Sequence, residues 1–197
     1  MSRRFAIPSA LALGAAALLA TPPALAQSST SWLPYTQNGY VGINVGRPEY
    51  KLGCGAGAFA CDDPDASFNV YTGGLFNEWL GAEVGYLHFG RADRQGGKTR
   101  GHGLNLSVLG QIPLYDGLRI FGKAGVTYGR TDVTTSALST EPNGDDSGFG
   151  PSYGVGVGWD FSNAWGAVLQ WERHEMKFVG RDRQRIDNAS LGVVFRF

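Results

Sequence analysis

The chain has 197 residues and carries 17 Lys+Arg against 17 Asp+Glu, a formal net charge of zero at pH 7. That balance, which becomes −2 once the first 26 residues are removed, argues against a nucleic-acid partner. No stretch after the N-terminus is long and apolar enough for a membrane helix of about 20 residues, so a mature chain that enters a membrane must cross as strands.

Arg3 and Arg4 precede the apolar run SALALGAAALLA, and the small-residue pattern ALA ends at Ala26, before Gln27. This is the layout of a secretory signal peptide over residues 1–26. An anchor that is retained in the membrane fits less well, because Pro8, Pro22 and Pro23 interrupt the run. Cleavage leaves 171 of the 197 residues with 15 basic and 17 acidic side chains, a length suited to one domain. Residues 27–37 read as a polar periplasmic leader, and 38–197 as the folded domain. Cys54 and Cys61, in CGAGAFAC, follow an export signal and are expected to form a disulfide in the oxidising periplasm. No further soft ligands adjoin them, so a metal site is not expected.

From Gly39 the chain alternates with a period of two, the mark of a strand with unlike faces. In GYVGINVGRPEY, Val41, Ile43 and Val45 oppose Gly42, Asn44 and Gly46. SFNVYTGGLF is a second strand, and WLGAEVGYLHFG a third that sets Leu80, Ala82, Val84 and Tyr86 against Gly81, Glu83 and Gly85. HGLNLSVLGQI, LRIFGKAGVTYG, SYGVGVGWDF, WGAVLQWERHEM and NASLGVVFRF repeat the writing, eight strands in all. Short links at Asn77-Glu78, PLYDG and Ser162-Asn163 alternate with longer ones at 51–66, 91–98, 131–148 and 179–185. Eight strands near the membrane-crossing length of about 9 to 11 residues, with alternating short and long links, predict an all-β fold. It is an eight-stranded antiparallel transmembrane β-barrel with short periplasmic turns and longer extracellular loops, its last strand paired with its first.

A soluble barrel would need a dry core from one of the two faces. One face is Leu, Val, Ala and aromatics; the other is Gly, Ser, Asn, Thr and a few charges, too small and polar for that purpose. The apolar face is therefore assigned to lipid and the polar face to the lumen. Trp79, Tyr115, Phe161, Trp165, Phe195 and Phe197 mark the periplasmic girdle, and Tyr40, Tyr50, Tyr128, Phe149 and Phe178 the outer one, with Tyr40 fitting least well. The thirty glycines suit a narrow interior.

YVGINVG, FNEWLGAEVGY, GLRIFGKAGV and the terminal GVVFRF make residues 38–197 resemble the small outer-membrane barrels typified by the transmembrane domain of OmpA and by OmpX. The resemblance implies an integral protein of the Gram-negative outer membrane, exported through a Sec-type route. It also implies an assembly signal at Phe195 and Phe197, read by the barrel assembly machinery. Many OmpA-type proteins continue into a peptidoglycan-binding domain; the sequence does not, so tethering to the cell wall is not expected.

Lumen-facing charges are the candidate functional group: Glu83, Lys123, Gln170, Glu172 and Arg196, with Arg119 as a further partner. Such groups must pair, because a lone buried charge is costly. The Glu83 position resembles the lumen carboxylate to which a gate has been attributed in the OmpA-type barrel; the plainer reading is a structural plug. Arg91, Arg94, Lys98 and Arg100 in one loop, with Arg181, Arg183 and Arg185 in another, are candidates for holding phosphates of lipopolysaccharide. Solvation alone would also account for them. Asp62, Asp63, Asp65, Glu141, Asp145 and Asp146 make two acidic loops without EF-hand spacing. Catalytic residues and cofactors are not expected: of the three histidines, His88, His102 and His174, the last lies between Glu172 and Glu175 with no serine flanking it, and HEMKF is not a zinc motif. Gly154, Gly156 and Gly158 recur at two, not as a dinucleotide-binding loop.

The expected function is a structural or adhesion-type outer-membrane barrel, a monomer in contact with outer-membrane lipid and lipopolysaccharide and with no nucleic acid. A small gated pore is the alternative, and a lipid A-modifying enzyme the least favoured class.

Overall fold

The computed structural model describes residues 38–51, 63–64, 66–94, 97–135, 144–178 and 181–197. Cys54, Cys61 and the expected signal peptide and leader lie outside the described residues. The strands are β1 (Asn38–Tyr50), β2 (Ser67–Leu75), β3 (Leu80–Arg94), β4 (Gly97–Pro113), β5 (Leu118–Thr135), β6 (Gly144–Asp160), β7 (Trp165–Phe178) and β8 (Arg181–Arg196). Each pairs antiparallel with its neighbours in one closed sheet. β8 seals it against β1 from Tyr40↔Arg196 to Tyr50↔Ile186, and Phe197 N donates to Gly39 O at 3.1 Å. A closed sheet leaves no unpaired edge for lipid to meet.

The tight ends follow from turn chemistry. Asn77 Oδ1 accepts from Trp79 N and Leu80 N, both at 2.8 Å. Asp116 and Gly117 both have left-handed φ, 59° and 74°, as a two-residue hairpin turn requires. Ser162 Oγ accepts from Trp165 N at 3.0 Å. At the other end the strands run well beyond the membrane-crossing length: β4, β5 and β6 have 17, 18 and 17 residues. Much of the chain in the longer links is thus strand, and the barrel stands proud of the membrane on its extracellular side.

Polarity inverts along β3, β7 and β8. On β3, Leu80 and Tyr86 face out while Glu83 faces in; farther along, Leu87 and Phe89 face in while Arg91 and Asp93 face out. β7 repeats this, with Trp165 and Leu169 outside and Gln170 and Glu172 inside, then Met176 and Phe178 inside and Lys177 outside. β8 does so in reverse chain order, with Leu191 and Val193 outside, but Ile186 inside against exposed Arg183 and Arg185. Where the outer wall meets hydrocarbon the apolar residues point out; where it meets water they point in.

The inversion corrects two expectations. The lumen is not uniformly polar: Tyr50, Leu87, Phe89, Ala92, Met176, Phe178 and Ile186 form an apolar cluster at the extracellular end. A second cluster of Tyr40, Tyr71, Leu109, Phe121, Val168 and Val194 lies lower in the barrel. Tyr40, Tyr50 and Phe178 therefore do not belong to the outer girdle, since all three rings are buried inside. Tyr128 and Phe149 do project outward, with rings 4.9 Å apart. At the periplasmic rim Trp79, Tyr115, Phe161, Trp165 and Phe197 are exposed.

Candidate functional site in the barrel lumen

The inward face of β5 orders the lumen from periplasm to exterior as Arg119, Phe121, Lys123, Gly125, Thr127, Gly129 and Thr131. At the mouth, Arg119 Nη1 donates to Asp160 Oδ1 at 2.5 Å, and Arg196 Nη1 pairs with the same oxygen. Asp160 on β6 reaches Arg196 on β8 across Gly166 of β7, where a Cβ would lie 2.3 Å from Asp160 Oδ1. Three strands are tied together by one carboxylate because the intervening strand has no side chain there.

One level up, Lys123 Nζ donates to Glu83 Oε1 at 2.6 Å and to Gln170 Oε1 at 3.0 Å, and lies 3.7 Å from Glu172 Oε1. Gln170 Nε2 donates to Glu172 Oε2 at 2.8 Å, and Tyr40 OH to Glu83 Oε2 at 3.1 Å. The ammonium also sits 4.9 Å from the centroid of the Tyr71 ring. All these side chains are buried. Two carboxylates share one ammonium here, and two guanidiniums share one carboxylate at the mouth. The excess charges are opposite, so the two levels together are formally neutral. Glycines make the room: on β6 a Cβ at Gly154 would meet Glu172 Cγ at 2.8 Å, at Gly156 Phe121 Cζ at 2.4 Å, and at Gly158 Arg119 Cζ at 2.6 Å.

A cavity of about 30 Å³ lies between the two levels, lined by Tyr40, Glu83, Arg119, Lys123, Gln170 and Arg196 among others. Above it comes a polar layer in which Thr127 Oγ1 and His174 Nδ1 share a hydrogen bond of 2.8 Å, and Ser67 Oγ donates to Asn188 Oδ1 at 2.6 Å. His174 packs against Phe89 at 5.3 Å between ring centroids, which joins this layer to the apolar cluster above. That cluster crosses the lumen: a Cβ at Gly101 on β4 would lie 3.0 Å from Tyr50 OH, and one at Gly129 on β5 2.1 Å from Met176 Cε.

Of the residues the sequence nominated, Glu83, Lys123, Gln170 and Glu172 converge, whereas Arg196 joins Arg119 at the mouth instead. Arg91, Lys98, Arg100, Arg183 and Arg185 are exposed on strand extensions, and Arg185 Nε lies 3.6 Å from Glu175 Oε1. The side chains of Arg94 and Arg181, together with Asp62, Asp65 and Glu141, lie outside the described residues. Asp63 accepts from Tyr50 N at 3.1 Å, while Asp145 binds Arg130 at 3.0 Å. Phe195 packs on Trp165 at 5.0 Å and lies 6.4 Å from Phe197. His174 and Glu175 point to opposite faces, so HEM cannot act as a unit. Sequence reasoning missed Tyr40, Tyr71 and Asp160. The signal for Tyr71 was its pairing with a glycine, since a Cβ at Gly42 would lie 2.3 Å from Tyr71 Cζ.

Comparison with known proteins identifies the architecture. Residues 34–197 match the OmpA-like transmembrane domain, and the chain belongs to that family. Outer membrane protein A of Serratia marcescens is 28% identical over 175 residues, covering 84% of this chain and 47% of its own length. Outer membrane protein P5 of Haemophilus influenzae is 34% identical over 115 residues, or 50% of this chain and 32% of its own. The chain thus spans less than half the length of these relatives. Among solved structures, Neisserial surface protein A superposes with a TM-score of 0.61 at 12% identity, covering 81% of this chain and 97% of its own. Ail, the attachment invasion locus protein of Yersinia pestis, does so with 0.55 at 15% identity, covering 81% and 98%. These likenesses are of fold. The protein is an integral β-barrel of the outer membrane.

Proposed function

We propose that this outer-membrane barrel is a plugged scaffold whose role is structural and surface-directed: it holds its extracellular hairpins at the cell exterior for interaction. The observation that carries this reading is the apolar cluster of Tyr50, Leu87, Phe89, Ala92, Met176, Phe178 and Ile186, each no more than 2% exposed, above the charge network. Ions would have to cross a dry layer in which their hydration is lost without replacement. The strand extensions give the hairpins reach beyond the membrane. No catalytic step is assigned, because the one hydroxyl–imidazole pair described, Thr127 with His174, is sealed from solvent. Phe197 is read as the assembly signal and the outward basic residues as facing lipid phosphate.

A gated pore is the second reading, favoured by the placement of Lys123 within 3.7 Å of both Glu83 and Glu172. Exchange between two acceptors would open a path from the mouth cavity. Planar-bilayer recording of the refolded chain, after a heat-dependent gel shift has verified folding, tests both readings. The scaffold reading expects silence from wild type and from Glu83→Ala, together with loss of surface binding when the hairpins are trimmed. Discrete openings that change in Glu83→Ala would replace it with the pore.

A further inference from the structure

The outer wall between β3 and β4 carries an arrangement that the plugged lumen does not explain. Up to His88 the even-numbered residues of β3 face out. The register of β3 against β4 then slips between His88 and Arg91, at Gly90, whose φ is +72°. Bulges of this kind re-aim the side chains that follow. Here the slip puts Ala92, 0% exposed, into the lumen and sends Arg91 and Asp93 to the outside. Unbroken alternation would have driven the Arg91 guanidinium inward beside Leu87 and Phe89.

The consequence is a cationic pair. Arg91 stands directly opposite Arg100, and one step toward the membrane His88 stands opposite His102. Like charges directly opposite across an antiparallel pair are destabilising, with Cβ atoms about 5 Å apart. Neither arginine has an ion pair among the described residues. Asp132 faces Arg100 from β5, but its carboxylate lies 3.7 Å from Arg130 Nε and 4.0 Å from His102 Nδ1. Asp93 is opposite Lys98, one step farther out. Lipid-facing groups adjoin the histidines: Phe68, paired with His88 across β2 and β3, lies 5.1 Å from it and 6.1 Å from Tyr86, and Leu104 is exposed one step below His102. Aromatic belts mark the level of the headgroups. The two guanidiniums therefore stand just above the hydrocarbon edge, where the phosphates of the outer leaflet are found.

We infer that Arg91 and Arg100 form a binding site for one phosphate of an outer-leaflet glycolipid, and that the Gly90 bulge exists to place the first of them. A phosphate between two guanidiniums accepts charge-assisted hydrogen bonds from both and converts a repulsive pair into a bridged one. The glycolipid sugar then lies against the wall at His88 and His102, and its acyl chains run down past Tyr86 and Leu104. The site rests on the reading that the basic residues of the outer wall face lipid phosphate, and narrows it to one strand pair. The conformation of Gly90 is enforced sterically as well, since a Cβ there would lie 2.5 Å from Ala66 O.

Native mass spectrometry of the refolded full chain in mixed micelles tests the site. The probes are bis-phosphorylated lipid A, its dephosphorylated form and inorganic phosphate; the variants are Arg91→Gln with Arg100→Gln, and Arg183→Gln with Arg185→Gln on the opposite wall. Wild type is expected to retain phosphorylated lipid A, and the first double variant to bind it at least about tenfold more weakly, the loss of charged hydrogen bonds to both arginines. The second double variant should bind as wild type does. Equal retention by the Arg91/Arg100 variant, with loss in the Arg183/Arg185 variant, would overturn this site but leave the broader reading standing. No retention by any form, wild type included, would overturn both. Retention of the dephosphorylated lipid, or equal occupancy by inorganic phosphate, would overturn the assignment to a glycolipid phosphate. Should the glutamine variant fail the gel-shift test of folding, Arg91→Lys with Arg100→Lys keeps the charge and loses the bidentate geometry. It should weaken binding severalfold, and unchanged binding there would overturn the site.

Discussion

The two ends of the lumen fill the same narrow tube with opposite chemistry. The periplasmic and central levels hold Arg119, Asp160, Arg196, Lys123, Glu83 and Glu172 in ion pairs, while the extracellular end holds Leu87, Phe89, Met176 and Ile186. The outside decides the difference. At membrane level most apolar residues are used against lipid, and the inward face mixes the smaller apolar cluster of Leu109, Phe121, Val168 and Val194 with charged groups that must satisfy one another. Beyond the membrane the outer face meets water, so the ordinary hydrophobic effect operates and the barrel has a soluble protein's core. The first region is specified by pairing, the second by packing.

That contrast predicts graded responses to substitution, each read by urea titration of the protein refolded into lipid vesicles. Lys123→Met should cost the most, about 4 kcal/mol, because it leaves Glu83 and Glu172 buried without their cation. Adding Glu83→Gln and Glu172→Gln should restore most of the loss. If it does not, the network acts through packing and the contrast fails. In the apolar region Ile186→Ala should cost about 3 kcal/mol through the cavity it leaves, with no polar substitution elsewhere able to compensate. Asp160→Asn should cost about 2 kcal/mol, since it strips the shared anion from Arg119 and Arg196 at a mouth that water reaches. Glu49→Gln, on the exposed outer wall beside Lys51, should change stability by less than about 1 kcal/mol and by nothing measurable at high salt.

Much of the barrel was legible because a period of two is unambiguous when glycine and aliphatic residues alternate, as in Tyr153–Phe161. Turn residues such as Asp116-Gly117 and Ser162 placed the hairpins. The convergence of Glu83, Lys123, Gln170 and Glu172 could be proposed from their inward parity alone. Their partners could not: strand tilt sets which inward residues meet, and it brought Asp160 to Arg196 over Gly166 and kept Arg196 away from Lys123. The apolar extracellular core of Leu87, Phe89 and Met176 was hidden because alternation shows which residues share a face but not the height at which the outer wall passes from lipid to water.

By itself, then, the sequence determined the strand count, the alternation of faces, the hairpin ends and the polarity of the wall at membrane level. These depend on neighbours one or two residues apart, and the chain carries them locally. The tertiary structure decided the register, the bulge at Gly90 that turns Arg91 outward, the division of the lumen charges into two clusters and the height at which polarity inverts. Those depend on the shear of a closed sheet, which sums small displacements over eight strands and is written at no single position.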